Sequence, residues 1–487
     1  MKKMKKVVLF CVMALGGMGF SAPNLQKYLE NDLELKRLAL ELEKTTLSAK
    51  EIKIDNGFSL QLSTGTLTLQ QQGDTMNVNF MPSLTASIPQ ANNLGATVSS
   101  NIKIQNGENN TENTKISLSA DIISGNRIIR KANLMKANRD VLEAKRALQN
   151  RALEAEKEFY TDLKELFTAA ASIITAQKNL YDDTIDFEEV KAKGYAPSSA
   201  KYRQAQLKVL DDTHTVETKE RELEHDCAVF ASKCGEIFEK GTKTEDFLPS
   251  EIDRVDAVDI SSYKKDMYVK IESAKYTHEY NSLEREAKKN FTLSANAGYT
   301  FNNPSAKTTG TADINGGKVD TISRDKTDTI DAGLTAGWNG LNVGAGVSFP
   351  VSTDFSNLIY TVSATFNPNE LRKTRITKQK DVYSEEQEFI AIKDAEDSYE
   401  TSVVDQKQSL ADILWSKQSN FEFYDMYVAL EKDMAEYLKA GVITESEYLS
   451  SYANKEQYRI NLLINDIDLI IYNNTTKLLF CRDEEIN

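Results

Sequence analysis

The residues able to do chemistry are few, and their spacing keeps most of them apart. Three histidines stand against 73 acidic side chains. His225-Asp226-Cys227 and His278-Glu279 place metal-ligating and nucleophilic side chains next to one another in sequence. Both lie in heptad-like helical stretches, where adjacent residues point in different directions and do not converge on one ion or one scissile bond. No HExxH pair, phosphate-cradling glycine loop or nucleophile elbow is present. The reading is therefore of a protein that is not an enzyme and needs no cofactor or metal. Cys227 and Cys234 are seven residues apart, about 10 Å along a straight helix and too far for a disulfide. Cys234 with Cys481 is a freer pairing in an oxidising compartment. Two glycines, Gly194 and Gly441, follow long helical stretches and suit left-handed turns. Just beyond the second, Thr444 and Glu447 have the spacing of a helix capping box.

The elements that carry these residues follow from composition and pattern. The 487 residues are 40% hydrophobic and 27% charged, enough for sizeable cores. A net charge of −14 argues against a nucleic-acid partner, which requires clustered Lys and Arg. The N-terminus reads as a secretory signal, residues 1–21: four lysines, an apolar run from Val7 to Phe20, and small residues before a cut after Ser21. Loss of those four lysines takes the charge from −14 to −18.

Glycine and proline are missing between Gly125 and Gly194 and between Pro368 and Gly441, gaps of 68 and 72 residues. Each predicts a helix about 100 Å long. Val141, Leu148, Ala152, Ala155, Phe159, Leu163 and Leu166 form a coiled-coil-like seam along the first. Asn367-Pro368-Asn369-Glu370 supplies a helix start. Residues 57–124 and 291–367 instead alternate apolar with Ser and Thr, and Asn339-Gly340 marks a hairpin turn. Seven or eight strand-like runs are expected, separated by polar loops at Asn106–Thr114 and Asn302–Asp328.

These blocks occur twice. Phe58-Ser59-Leu60 recurs as Phe291-Thr292-Leu293, Ser119-Ala120 as Ser363-Ala364, and Lys193-Gly194 with Ser199 as Ala440-Gly441 with Ser446. The expected organisation is a first-half helix (22–56), a strand block (57–124) and a long helical hairpin (125–234, tip near 194–199). An equatorial linker (235–253) leads to the second helix (254–290), strand block (291–367) and hairpin (368–480, tip near 441–446), with a tail at 481–487.

A signal followed by two such copies resembles the TolC-like outer-membrane factor family, the exit ducts of tripartite efflux pumps and type I secretion systems. The resemblance covers nearly all the mature chain. It rests most on Gly194-Tyr195-Ala196-Pro197-Ser198-Ser199 and Gly441-Val442-Ile443-Thr444-Glu445-Ser446, each followed by a helix. It implies an α+β fold with a two-fold repeated helix–strands–long helix protomer. Three copies would form an outer-membrane β-barrel continued by a periplasmic α-helical barrel. It further implies a homotrimer in outer-membrane lipid that passes small molecules or proteins, with a periplasmic adaptor and an inner-membrane transporter as partners. Gly194, Tyr195, Ser199, Gly441, Val442 and Ser446 become the adaptor-contact tips. Glu447 and Ser450 match positions where the family carries acidic rings at the periplasmic constriction, with Glu445 a nearby substitute; the capping reading of Glu447 stands beside that role. The family's usual four strands per protomer fall short of the runs read here. Trp338, Tyr299, Phe301, Phe349 and Tyr360 are candidates for bilayer interfaces or for ordinary strand packing. A periplasmic coiled-coil adaptor or scaffold, or a surface-exposed structural protein, is the alternative.

Overall fold

The structure is a computed structural model and describes residues 23–73, 75–105, 108–239, 247–288, 291–301, 307–312, 318–323, 328–351 and 358–482. The signal segment 1–21 lies outside them. No described helix is long and apolar enough to cross a membrane.

The first half opens with helices α1 (Pro23–Asn31) and α2 (Leu33–Asp55). The single helix expected here is broken at Asp32. Its Oδ1 accepts from the Glu34 and Leu35 backbone N–H groups at 2.7 and 3.0 Å, restarting the helix as an N-cap. Strands β1 (Ser59–Ser63), β2 (Thr68–Gln72), β3 (Thr75–Phe80), β4 (Ser83–Ile88), β5 (Leu94–Gln105) and β6 (Glu108–Ile123) follow. Then come α3 (Asn126–Ala192) and α4 (Ala200–Lys233).

The second half repeats the order. Helix α5 (Val269–Ala287) precedes β7 (Phe291–Phe301), β8 (Lys307–Ala312), β9 (Lys318–Ser323), β10 (Thr329–Trp338), β11 (Leu341–Pro350) and β12 (Ile359–Phe366). Helices α6 (Pro368–Lys439) and α7 (Glu445–Leu478) close it. The α6 start is as its residues dictate: Asn367 Oδ1 accepts from Asn369 N–H at 3.1 Å, and Pro368 takes the first helical position.

Twelve strands among the described residues exceed the expected seven or eight. The excess is two short hairpins, β2–β3 and β8–β9. The other eight run through one antiparallel sheet in the order β1-β4-β5-β6-β7-β10-β11-β12. The predicted loop at Asn106–Thr114 is also corrected, because β6 begins at Glu108 and pairs with β5 up to Gln105. Backbone pairing carries the strand through this polar run. Asn339 and Gly340 both have positive φ, 47° and 89°, and join β10 to β11 as the predicted tight hairpin.

The chain divides into two compact units. One comprises the described residues of Met1–Glu43, Glu143–Glu272 and Asp394–Asn487 and holds the helical core. Leu148, Ala152, Ala155, Phe159, Leu163 and Leu166 of the expected seam are buried there, whereas its first member, Val141, is only partly buried. They pack with Leu25, Leu29 and Leu35, with Leu223, Cys227 and Phe230 of α4, and with Ile460, Leu463 and Ile467 of α7. The other unit, Lys44–Leu142 and Ser273–Lys393, holds every strand.

Candidate functional site: a two-faced sheet and two helical turns

Successive side chains of a strand point to opposite faces, so register decides which residues share a face. One row of directly paired residues runs Leu62, Leu84, Val98, Ile116, Tyr299, Ile330, Phe349. A second on the same face runs Leu60, Ala86, Ala96, Leu118, Ala297, Ala332, Val347, Tyr360. At the end where the helices join, Phe291, Trp338, Leu341 and Phe366 form another. Every member of these rows is apolar or aromatic.

The opposite face is built from small polar residues. One of its rows reads Ser59, Ser87, Gly95, Ser119, Asn296, Gly333, Gly346, Thr361. The next reads Gln61, Thr85, Thr97, Ser117, Gly298, Asp331, Ser348 and, as the one apolar exception, Ile359. Lys115 reaches Asp331 on this face with Nζ–Oδ2 at 3.7 Å. Neither face packs on a core: among the described residues of the eight strands only Gly298 is buried. Leu62 and Val362 are each 78% exposed. Soluble proteins rarely leave so large a contiguous apolar surface bare.

The predicted turn residues lie in the helical unit. Gly194 has φ +75°, and its N–H donates to the Lys191 carbonyl at 3.0 Å. Tyr195 is exposed, with the Lys201 ammonium 4.8 Å from its ring centre. Ser199 caps α4, its hydroxyl accepting from Tyr202 N–H at 3.3 Å. Gly441 has φ +70°, and Val442 N–H donates to the Tyr437 carbonyl at 3.0 Å, a Schellman-type ending. Nothing lies within 4 Å of where a Cβ would stand at either glycine, so backbone conformation alone demands glycine there. Val442 is 71% exposed, and Ser446 is half-buried in the first turn of α7.

Glu447 is engaged in the capping box. Its Oε2 accepts from Thr444 N–H at 2.7 Å and from the Thr444 hydroxyl at 3.0 Å, while Glu447 N–H donates to Thr444 Oγ1 at 3.3 Å. Ser450 instead donates its hydroxyl to Asp182 Oδ1 at 2.7 Å, tying α7 to α3. Glu445 is exposed near Tyr181, whose phenol is pushed up first by burial and then by the Glu445 charge. The acids that sequence reasoning missed are Asp182, Asp183 and Asp212. Burial, then the Asp183 charge, raises the Asp212 carboxyl above its usual range, and Lys208 pairs with Asp183 at 3.3 Å. Their signal was a near-symmetry: Asp182-Asp183 lie 11–12 residues before Gly194, and Asp211-Asp212 lie 12–13 residues after Ser199.

The other chemistry candidates stay apart. His278 contacts Glu388, and His225 and Cys227 share no cluster; no metal-holding group of His, Cys, Asp and Glu is found among the described residues. Cys227, Cys234 and Cys481 are buried free thiols, so the Cys234–Cys481 bridge is not formed. Burial pushes the Cys227 and Cys234 thiols up to about 11, which keeps them protonated and unreactive near neutral pH.

Residues 25–252 match the TP096X N-terminal domain, and residues 253–483 match the TP096X C-terminal domain. The chain belongs to the TP096X family. No curated protein matches it in sequence. Among solved structures, this TP096X chain is similar to the outer-membrane channel OprN at 11% identity and a TM-score of 0.49, covering 94% of this chain and 92% of that one. It is similar to the MtrE outer-membrane channel of Neisseria gonorrhoeae at 12% and 0.46, covering 94% and 89%. The CmeC outer-membrane channel of Campylobacter jejuni matches at 12% and 0.41, covering 93% and 84%.

Proposed function

We propose that this TP096X protein is a passive exit duct of the outer membrane. In this reading three copies build the channel, and a periplasmic adaptor couples it to an inner-membrane transporter in a tripartite efflux pump or a type I secretion system. The observation that carries the reading is the two-faced sheet. An apolar face bare of any core suits lipid, and a face of Ser, Thr, Gly and Asn suits a water-filled lumen. Lipid satisfies no backbone group, so such a sheet spans a membrane only within a closed barrel.

The dimensions support this. Phe291 and Phe301 stand on one face at the two ends of β7, ten residues apart. That is about 34 Å of strand, or roughly 26 Å of membrane normal at the ~40° tilt of outer-membrane barrels. Trp338 and Phe366 join Phe291 at one end, and Tyr299 and Phe349 stand near the other, as two aromatic girdles would. The exposed turns at Gly194–Ser199 and Gly441–Ser446 are the adaptor contacts in this reading, and Glu447, with Glu445, faces the periplasmic constriction.

A pair of charge insertions tests it. Leu118→Arg places a cation on the lipid face and should cost about 2–4 kcal/mol of membrane stability, lowering the assembled fraction in outer membranes. Ser117→Arg, one residue away on the lumen face, should assemble and shift single-channel conductance toward anions. Equal tolerance of both, or no conductance from the purified protein, defeats the duct reading.

A further inference from the structure

The sheet has two open edges. Among the described residues, β1 pairs only with β4 and β12 only with β11, leaving one backbone edge of each without a strand partner. In lipid such an edge is untenable. We propose that β12 of one copy pairs with β1 of a second copy, and that each copy supplies eight strands, four from each half, to a single closed wall. This rests on the duct reading above and concerns how the wall is built.

The duplication provides the template. In each half a helix leads into four through-strands and a long helix leads out: β1, β4, β5, β6 in the first half, and β7, β10, β11, β12 in the second. The two halves meet inside one chain where the last strand of the first, β6, pairs with the first strand of the second, β7. The equivalent joint for the last strand of the second half is to the first strand of another first half. Strand direction alternates along the path, and eight is even, so β12 meets a following β1 antiparallel.

The internal joint also sets the register. Ala120 pairs with Ala295 and Asp121 with Ser294 across β6–β7. The repeat equates Ser119-Ala120 with Ser363-Ala364 and Phe291-Thr292-Leu293 with Phe58-Ser59-Leu60. Carried over, Ala364 opposes Leu62 of the second copy, Ser363 opposes Ser63 and Thr365 opposes Gln61. This register puts apolar side chains beside apolar ones and polar beside polar, as a wall with one lipid face requires.

Closure of the eight strands within one copy is disfavoured by the residues it would enclose. An eight-stranded barrel has an interior just wide enough for side chains to fill. Here the inward positions include Gly95, Gly298, Gly333, Gly344 and Gly346 among serines and threonines, which would leave voids. Three copies give twenty-four strands, a ring about twice as wide as the twelve-stranded one implied by four strands per copy, since diameter grows roughly linearly with strand number.

Paired cysteines test the seam in the full-length protein in outer membranes. Directly opposed residues in an antiparallel pair have Cα atoms about 4.5–5.5 Å apart, within disulfide reach. Ser63→Cys with Ser363→Cys should oxidise to covalent dimers and trimers, whereas Ser59→Cys with Ser363→Cys, four residues out of register, should link at least tenfold less. Each single variant should assemble as the parent does and form no ladder. A disulfide within one copy, seen as a faster-migrating monomer, overturns the proposal in favour of self-closure. Native trimers that never link at this pair overturn the seam while leaving the duct intact. Absence of any native oligomer or conductance in the parent protein defeats the duct reading itself, and the seam with it.

Discussion

Arg285 grips the Glu388 carboxylate with both arms of its guanidinium, Nη1 to Oε1 at 2.7 Å and Nη2 to Oε2 at 2.8 Å. Asn281 and His278, one and two turns earlier on α5, complete the shell at 2.8 Å each. Glu388 is thereby satisfied in a nearly buried position on α6, and α5 is fastened to α6 beside the sheet. The Arg285 hydrogen bonds, aided by Asn281 and His278, outweigh burial and hold the Glu388 carboxyl down at about 2.

The sign of the pH dependence follows. A carboxyl depressed in the folded state adds stability that is present above its ordinary value near 4.5 and is lost as pH falls through about 2. Denaturation of the wild type and of Glu388→Gln should therefore differ most at pH 5–7, with the gap shrinking steadily between pH 4.5 and 2. Removing one partner of such a near-buried pair costs about 3 kcal/mol. A gap that stays constant down to pH 2 would count against this account.

Gly125 sits where α3 departs from β6, and a Cβ built there would lie 1.8 Å from the Ala287 carbonyl oxygen at the end of α5. Backbone cannot yield as a flexible side chain can. Gly125→Ala should force the two helix ends apart and cost on the order of 1–3 kcal/mol. Lower yield and a lower denaturation midpoint are the expected result, and an unchanged midpoint would count against this contact.

Leu148 is only 2% exposed on the α3 seam. Proline at this position removes a helix hydrogen bond, clashes with the preceding turn and opens the core, costing at least ~3 kcal/mol. Leu148→Pro should fail to assemble. Leu148→Met, nearly equal in volume, should assemble and lose less than about 1.5 kcal/mol. Proteolysis of membrane fractions distinguishes the two.

Capping and gating make different demands on Glu447. A glutamine there can still receive the Thr444 N–H, so Glu447→Gln should leave assembly nearly unchanged. If three such carboxylates line the constriction, the same substitution weakens cation selectivity and block by divalent cations. Unchanged selectivity and block would leave Glu447 a helix cap alone. Thr444→Ala, by contrast, should cost about 1 kcal/mol of helix stability without altering selectivity.

What was legible in the residues themselves was local. The Asn339-Gly340 turn, the Asn367-Pro368 helix start, the Thr444–Glu447 box, the left-handed glycines and the seam from Leu148 to Leu166 each depend on a few neighbours, so spacing alone encodes them. Alternation marked the strands and the duplication marked the halves. Register was different. That Leu62, Leu84, Val98, Ile116, Tyr299 and Ile330 form one unbroken apolar row depends on partners as distant in sequence as Ile116 and Tyr299, which only strand pairing settles. The break at Asp32, with its carboxylate drawn to Arg151 at 2.7 Å, was invisible for the same reason. So were the Ser450–Asp182 bond across 268 residues and the Arg285 clasp on Glu388. A side chain's type limits what it can bond, but desolvation and chain connectivity choose the partner, and those exist only once the elements have packed.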